Sequence, residues 1–479
     1  MKQGLSIFFI ILYVAGFSQK KEFNIHKKYA VKQVLADIDY TEKHLTKFHP
    51  DPYRYISKDS LHAFVANIKA KMDTPLTEMQ ARFYIKSIIA KIGCGHTDVA
   101  ASKNYTKAIK NINRAILPLN VFVSDSNKLI VLNNLSTDTT IKPGDEILSI
   151  NKLPVNTILK TIYSITTSDG YNETYKKQNA RFAMFKYYYS FCYGFKLDYQ
   201  TKIKHQNNAI TTCNLKGIST LKDTLILSKK HLDVDTVRKI KYCTYSTLKG
   251  SKSIALIDIN GFKGRHWRRF YRKSFKDIKQ KNIENLVIDL RDNGGGQINL
   301  GLNMLSYLID EKLVLPFDKR INGMTFNPKY KMSFGTRAIP FLFALRLPER
   351  FKNGKLRHYF SKFPKKNKQF KGQIYVLTNG KSFSMSAVAA SYLKHKSKAI
   401  IIGEETGGNA TGSNAVISGK IILPNTKIIV HIPMYHLYHD VNIENTGHGV
   451  IPDYPTNYKK EEVINGIDAD IKKVLELVN

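Results

Sequence analysis

Apolar positions change their spacing several times along these 479 residues, and each change predicts a different kind of structure. Val31, Val34, Leu35, Ile38 and Leu45 recur at helical intervals, as do Leu61, Phe64, Val65 and Ile68, and then Ile85, Ile88, Ile89 and Ile92. Three amphipathic helices are predicted. They end in Gly93-Cys94-Gly95-His96-Thr97, where glycines just past a helix favour a left-handed cap and hold a histidine on a tight turn. From Ile116 the period becomes two, through Leu119, Val121 and Val123 and then Leu129 and Val131, which predicts strands. A turn at Pro143-Gly144 leads into the apolar run 147–150 and a helix after Val155. The stretch from Tyr187-Tyr188-Tyr189 to Lys249 reads as strand-like.

The C-terminal half alternates strands and helices. Strands are predicted at 254–259, 286–290, 374–377 and 399–402, and Ile298, Leu302, Leu305 and Ile309 share a helix face. This alternation implies a largely parallel sheet with functional loops at the strand C-termini. Residues 311–370 are long, basic and mixed in pattern, and are expected to cover the site as a flap or subdomain. One terminal helix should carry Ile464, Ile467, Ile471, Val474 and Val478 on one face.

Composition adds a destination. Met1-Lys2 followed by apolar residues from Leu5 to Phe17, and then Ser18-Gln19, has the layout of a cleaved secretory signal and is short for a membrane span. Export to a periplasm or cell envelope is expected. Of Cys94, Cys192, Cys213 and Cys243, the last three lie in one region where a single disulfide would be compatible with export, and none has zinc-type CxxC spacing. The formal charge of +37 suits contact with an anionic envelope surface, but it is spread along the chain as solvated faces would be. With export and no reading module, nucleic acid is not an expected partner.

The candidate chemistry begins at Thr378-Asn379-Gly380-Lys381-Ser382-Phe383-Ser384-Met385, between a strand and a helix. Ser384 falls at a helix N-terminus, where free N–H groups can stabilise an oxyanion. Serine is also the ordinary N-cap there. Gly294-Gly295-Gly296 follows another strand without the Gly-Lys-Ser/Thr of a phosphate loop, so its glycines suit close approach of a carbonyl better than nucleotide binding. His436-x-x-His439 and His448 lack the glutamate of the His-Glu-x-x-His arrangement. No metal or cofactor is expected.

Two resemblances follow from these motifs. Gly144-Asp145-Glu146-Ile147-Leu148-Ser149-Ile150-Asn151 resembles a strand of PDZ domains, although the family's glycine-rich carboxylate loop is not evident at 116–119. Leu290-Arg291-Asp292-Asn293-Gly294-Gly295-Gly296, the Ser384 stretch, Gly403-Glu404-Glu405-Thr406-Gly407-Gly408 and Gly449-Val450-Ile451-Pro452-Asp453 stand in the order seen in S41 peptidases. That resemblance implies a multidomain α/β protein with a catalytic core of the ClpP/crotonase-like kind. Its expected parts are a signal (1–18), an N-terminal helical domain (19–113), a PDZ-like domain (114–205), a connecting sheet (206–250), the catalytic domain (251–457, insertion 311–370) and a C-terminal helix (458–479).

The lysine of processing peptidases would fall near Asn409 and is absent. Ile92-Gly93-Cys94-Gly95-His96-Thr97 instead resembles the histidine turn of tricorn-type members, with Cys94 where Asp is usual, and Glu444 matches their glutamate. The implied roles are Ser384 as nucleophile, His96 as base and Glu444 as the acid orienting it, directly or through a polar group, with N–H groups of Met385 and Gly295 or Gly296 as oxyanion hole. The expected activity is serine-type hydrolysis of peptide bonds in protein or peptide substrates. The alternative is an inactive envelope protein of the same fold that binds peptides or lipids. Oligomeric state is not legible.

Overall fold

The computed structural model describes residues 23–110, 112–220, 233–249, 253–318, 327–332, 349–352 and 355–478. The expected signal, and much of the expected flap, lie outside the described residues.

The three predicted helices form at Val31–Phe48, Lys58–Ala70 and Glu78–Lys91. Ser57 caps the second by accepting from the Ser60 N–H, and Thr77 caps the third in a reciprocal pair with Gln80. Their apolar stripes pack into one core with the C-terminal half of the chain. Each fully buried leucine or isoleucine there stabilises the fold by about 1.5–3 kcal/mol.

The middle of the chain has a core of its own. An antiparallel sheet runs in the order Ile210–Lys216, Asp198–Lys204, Glu146–Ile150, Leu129–Asn134, Leu119–Val123, covered by helices Val155–Ser164 and Met184–Tyr193. The tyrosine triplet therefore lies in a helix and not in a strand. Aromatic β-propensity is overridden because Phe185 and Tyr189, four apart, both bury on the same face. Among the described residues, the stretch 206–250 forms no sheet of its own. Ile210–Lys216 extends the middle sheet, and the hairpin of Val234–Ile240 and Cys243–Leu248 edges the next one.

That next sheet has seven strands. After the hairpin come Ile254–Ile259, Asn285–Asp289, Gln373–Thr378, Ile400–Gly403 and Tyr454–Pro455, all five parallel. Asp258 stands beside Asp289, Asp289 beside Leu377, and Leu377 beside Ile402, so the loops that follow these strands meet at one edge. A second sheet contains Leu313–Asp318, Ile429–Tyr438 and Gly412–Ile422, and the described part of the expected flap, Glu349–Lys352 with Lys355–Lys362, adds two of its strands. Asp98–Ala100, two residues past His96, joins this sheet by pairing with residues 429–431.

The terminal helix is broken. Lys460–Ile464 and Ala469–Val478 are separate because Gly466 takes φ +66° between them.

Candidate active site

Three serines lie between strand Gln373–Thr378 and helix Met385–Lys396, and their surroundings separate them. Ser382 is fully buried, donates to the Leu290 carbonyl at 2.8 Å and accepts from the Asn379 N–H, so it holds the loop. Ser386 is fully buried inside the helix. Ser384 alone of the three reaches solvent, and its hydroxyl caps nothing. Its backbone sits at φ 55°, ψ −121°, far from the β-region of an ordinary N-cap. A non-glycine residue held there is strained, which is common where a nucleophile is presented.

Glycine makes the surroundings of Ser384 possible. A Cβ on Gly295, at φ +93°, would stand 2.7 Å from the Ser384 Cβ and 2.8 Å from the Met385 nitrogen. The Gly295 N–H donates to Asn293 Oδ1 at 2.9 Å and is already engaged. Gly296 bridges Phe262 through its neighbours' groups, Phe262 N–H to Gly295 O and Gln297 N–H to Phe262 O, which leaves the Gly296 N–H out of the bridge.

His96 is brought to this loop by its own turn. Gly93 closes helix Glu78–Lys91 at φ +63°, and the N–H of Gly93 bonds the Ala90 carbonyl. Gly95 is required for a different reason, because a Cβ there would lie 2.5 Å from the Phe383 ring. The His96 ring stacks obliquely on Phe383, the residue before Ser384, with centroids 4.7 Å apart. No hydrogen bond joins His96 to Ser384 among the described residues. Although part of His96 reaches solvent, dense packing lowers its pKa, against the opposing pull of the Asp169 carboxylate. Its Nδ1 is buried without a partner among the described residues.

Asp169 is the residue that pattern reading missed. Only 4% exposed, it accepts from the Gly95 N–H at 2.8 Å and from the Asn409 N–H at 3.4 Å. Burial raises its pKa, while His96 and these N–H groups pull it down. The segment that carries it continues across the serine loop. Asn172 Nδ2 donates to the Thr406 carbonyl, Tyr175 packs 5.0 Å from Phe383, and Arg181 pairs with Glu404 at 2.7 Å. Burial would raise the Glu404 carboxyl, but Arg181, Gln178 and the Gly380 N–H together hold it below the usual range.

No hydrogen bond or ion pair joins Glu444 to His96 among the described residues. Glu444 is exposed and makes no hydrogen bond or ion pair among the described residues. Its neighbour Asn445 accepts from Asn409 Nδ2 at 3.2 Å, and so touches the polar cluster that contains Asp169. Asn409, where a lysine would serve a dyad, is buried and also donates to the Tyr55 hydroxyl.

The remaining histidines face separate partners. His436 meets Asn414 and Arg54, His439 meets the Ala410 carbonyl and is depressed by burial to about 4, and His448 meets Glu405. The four thiols are unpaired, and burial pushes Cys94, beside the histidine turn, up to about 12.

The family model of peptidase family S41 matches residues 253–456. The whole arrangement is similar to the structure of mature CPAF complexed with lactacystin, at TM-score 0.66 and 16% identity, over 94% of this chain and 98% of that one. A CPAF s499a mutant superposes with the same TM-score at 15% identity, covering 94% of this chain and 96% of that one. At such identities the likeness is one of fold. No curated protein matches the chain. The motif order, the family match and the fold agree, and residues 253–456 are similar to peptidase family S41.

Proposed function

We propose that this chain is an exported peptidase that cleaves peptide bonds through an acyl-enzyme on Ser384, with His96 as base. The observation that carries this reading is the isolation of Ser384. It is the one serine of its loop with a free, solvent-reaching hydroxyl, on a strained turn whose neighbour Phe383 stacks on the only histidine of the facing turn. Ser384 Oγ attacks the carbonyl while His96 takes its proton, and the imidazolium returns that proton to the leaving amine. Water then attacks the ester by the same route. The N–H groups of Met385 and Gly296 suit the oxyanion better than that of Gly295, which Asn293 engages.

His96 supports a Ser–His arrangement over a Ser–Lys dyad, since Asn409 occupies the place of the lysine. Within this reading Asp169 positions the imidazole through the Gly95 N–H and its own charge, and Glu444 contributes at most by placing its neighbour Asn445 against Asn409. The middle sheet is read as PDZ-like in fold. However, its edge strand Leu119–Val123 already accepts from the Phe182 N–H at Val121 and from Arg181 Nε at Val123, which disfavours peptide addition there.

The test is labelling of the purified mature protein with a fluorophosphonate probe. Wild type should be labelled and Ser384→Ala should not, while Ser382→Ala and Ser386→Ala keep the label if folded. Undiminished labelling of Ser384→Ala would remove the nucleophile from the proposal.

A further inference from the structure

Helix Trp267–Gln280 buries Trp267, Phe270, Tyr271, Ser274, Phe275 and Ile278 and turns its arginines and lysines outward. Opposite that outer face runs the segment that closes strand Lys355–Lys362 and leads to Phe370. Between them lies a cavity of about 530 Å³, lined by Arg268, Arg269 and Arg272 on one side and Lys362, Lys365 and Lys368 on the other. Six cations meet there, and among the described residues no carboxylate lines the cavity. None of the six forms an ion pair among the described residues. Asp310 and Glu311, on the nearby turn, are engaged by Lys371 and Lys396.

Like charges gathered without counter-charges are unfavourable for folding alone. The crowding is visible at Lys362, whose pKa is lowered by burial and further by Lys365 and Arg268. An independent feature points the same way. Asn303, at the buried side of the cavity, is only 6% exposed, and its Nδ2 has no acceptor among the described residues. A buried donor without an acceptor is unfavourable, and turning the Asn303 amide towards the cavity would give it a phosphate acceptor. Tyr307, stacked on Phe275 at 4.5 Å, fixes the helix against this floor.

We propose that this cavity is a binding site for a compact ligand bearing several phosphate groups, held by the arginine forks and lysines and oriented by Asn303. Arginine matches phosphate bidentately, and a half-open cavity of this volume suits a headgroup or short oligophosphate better than a long polymer. The site belongs to the hydrolytic half of the chain but shares no residue with the serine loop.

Phe363, 68% exposed beside Lys362, separates the two sources of such a ligand. A membrane-borne headgroup would bring that ring to the bilayer, and a free oligophosphate would not. The experiment measures binding of inorganic tripolyphosphate by calorimetry, and of vesicles with and without anionic phospholipid by sedimentation, using the mature protein. Arg268→Gln/Arg272→Gln/Lys365→Gln should weaken tripolyphosphate binding by at least about tenfold, since it removes three charge-assisted contacts. A control of equal charge, Lys58→Gln/Lys160→Gln/Lys202→Gln, should not. Asn303→Leu should weaken binding severalfold. If it fails to fold, the triple variant still decides.

Retention of anionic vesicles that Phe363→Ser abolishes, with tripolyphosphate binding intact, assigns the site to a lipid headgroup. Tripolyphosphate binding without vesicle retention assigns it to a soluble ligand. Equal losses in the triple variant and its control, no binding of either probe, or preference for an oligonucleotide over tripolyphosphate would overturn the proposal.

Discussion

An imidazole whose Nδ1 is buried and without a partner among the described residues takes its charge from the carboxylate beside it, and at His96 that carboxylate is Asp169. Burial lowers the His96 pKa below the usual value of about 6.5, so the neutral base predominates above that pH. The kcat/KM profile should therefore rise through an apparent pKa below about 6.5 and then level off. The same depression makes the folded state lose stability as pH falls from the unfolded value towards the folded one. Asp169 opposes the depression, so Asp169→Asn should move the acid limb to still lower pH while lowering the plateau by about a hundredfold or more. Glu444→Gln, at an exposed position, should leave the limb where it is. An unmoved limb in Asp169→Asn would mean that Asp169 only holds the Gly95 turn. The placements of Ser384 at the start of a helix and of His96 on a glycine turn were legible because each sits in a local motif. Asp169 was not, because Ser168-Asp169-Gly170 reads as an ordinary turn and its N–H partners are 74 and 240 positions away.

Strands and helices with a strict period were readable to within a few residues, and those decided by distant partners were not. The parallel strands at 254–259 and 374–377 are near-continuous apolar runs, interrupted only by Asp258, as a sheet covered on both faces requires. The tyrosine triplet and the Asn465-Gly466 break went the other way, through packing in one case and a left-handed glycine in the other. Arg291 shows how a motif residue can serve an element instead of the chemistry. From the end of strand Asn285–Asp289 it donates to Asp289 at 2.7 Å and reaches Asp468 and Asp470 at the start of the last helix at 2.7 and 2.5 Å. Arg291→Met would leave buried carboxylates without their cation, a change that costs about 3–5 kcal/mol. Chemical denaturation should register that loss, and a stability within about 1 kcal/mol of wild type would show the network to be dispensable.

The candidate site is shared between distant parts of the chain, so activity depends on how those parts are joined. Strand Asp98–Ala100 ties the histidine turn to the second sheet through pairs with His431, Val430 and Ile429. The hairpin that offers this strand its edge is in turn clamped by the first helix. Asp37, fully buried on that helix, accepts from the Asn425 N–H at 2.9 Å, the Thr426 N–H at 2.8 Å and the Thr426 hydroxyl at 2.6 Å, all at the tip between Gly412–Ile422 and Ile429–Tyr438. Asp37→Ala would strand two backbone donors and a hydroxyl, at a cost of about 3 kcal/mol or more. The consequence should reach further than stability. With the tip released, the edge that holds Asp98–Ala100 loosens and His96 loses its fixed approach to Phe383, whereas the Ser382 bonds that shape the serine turn stay intact. In conditions where Asp37→Ala remains folded, fluorophosphonate labelling should slow by about tenfold or more, because a misplaced base costs rate steeply. The lost rate should return in part on restoring an acceptor of the same shape with Asp37→Asn. Labelling at the wild-type rate in a folded Asp37→Ala protein would show that the histidine turn is held by Asp169 and Phe383 alone.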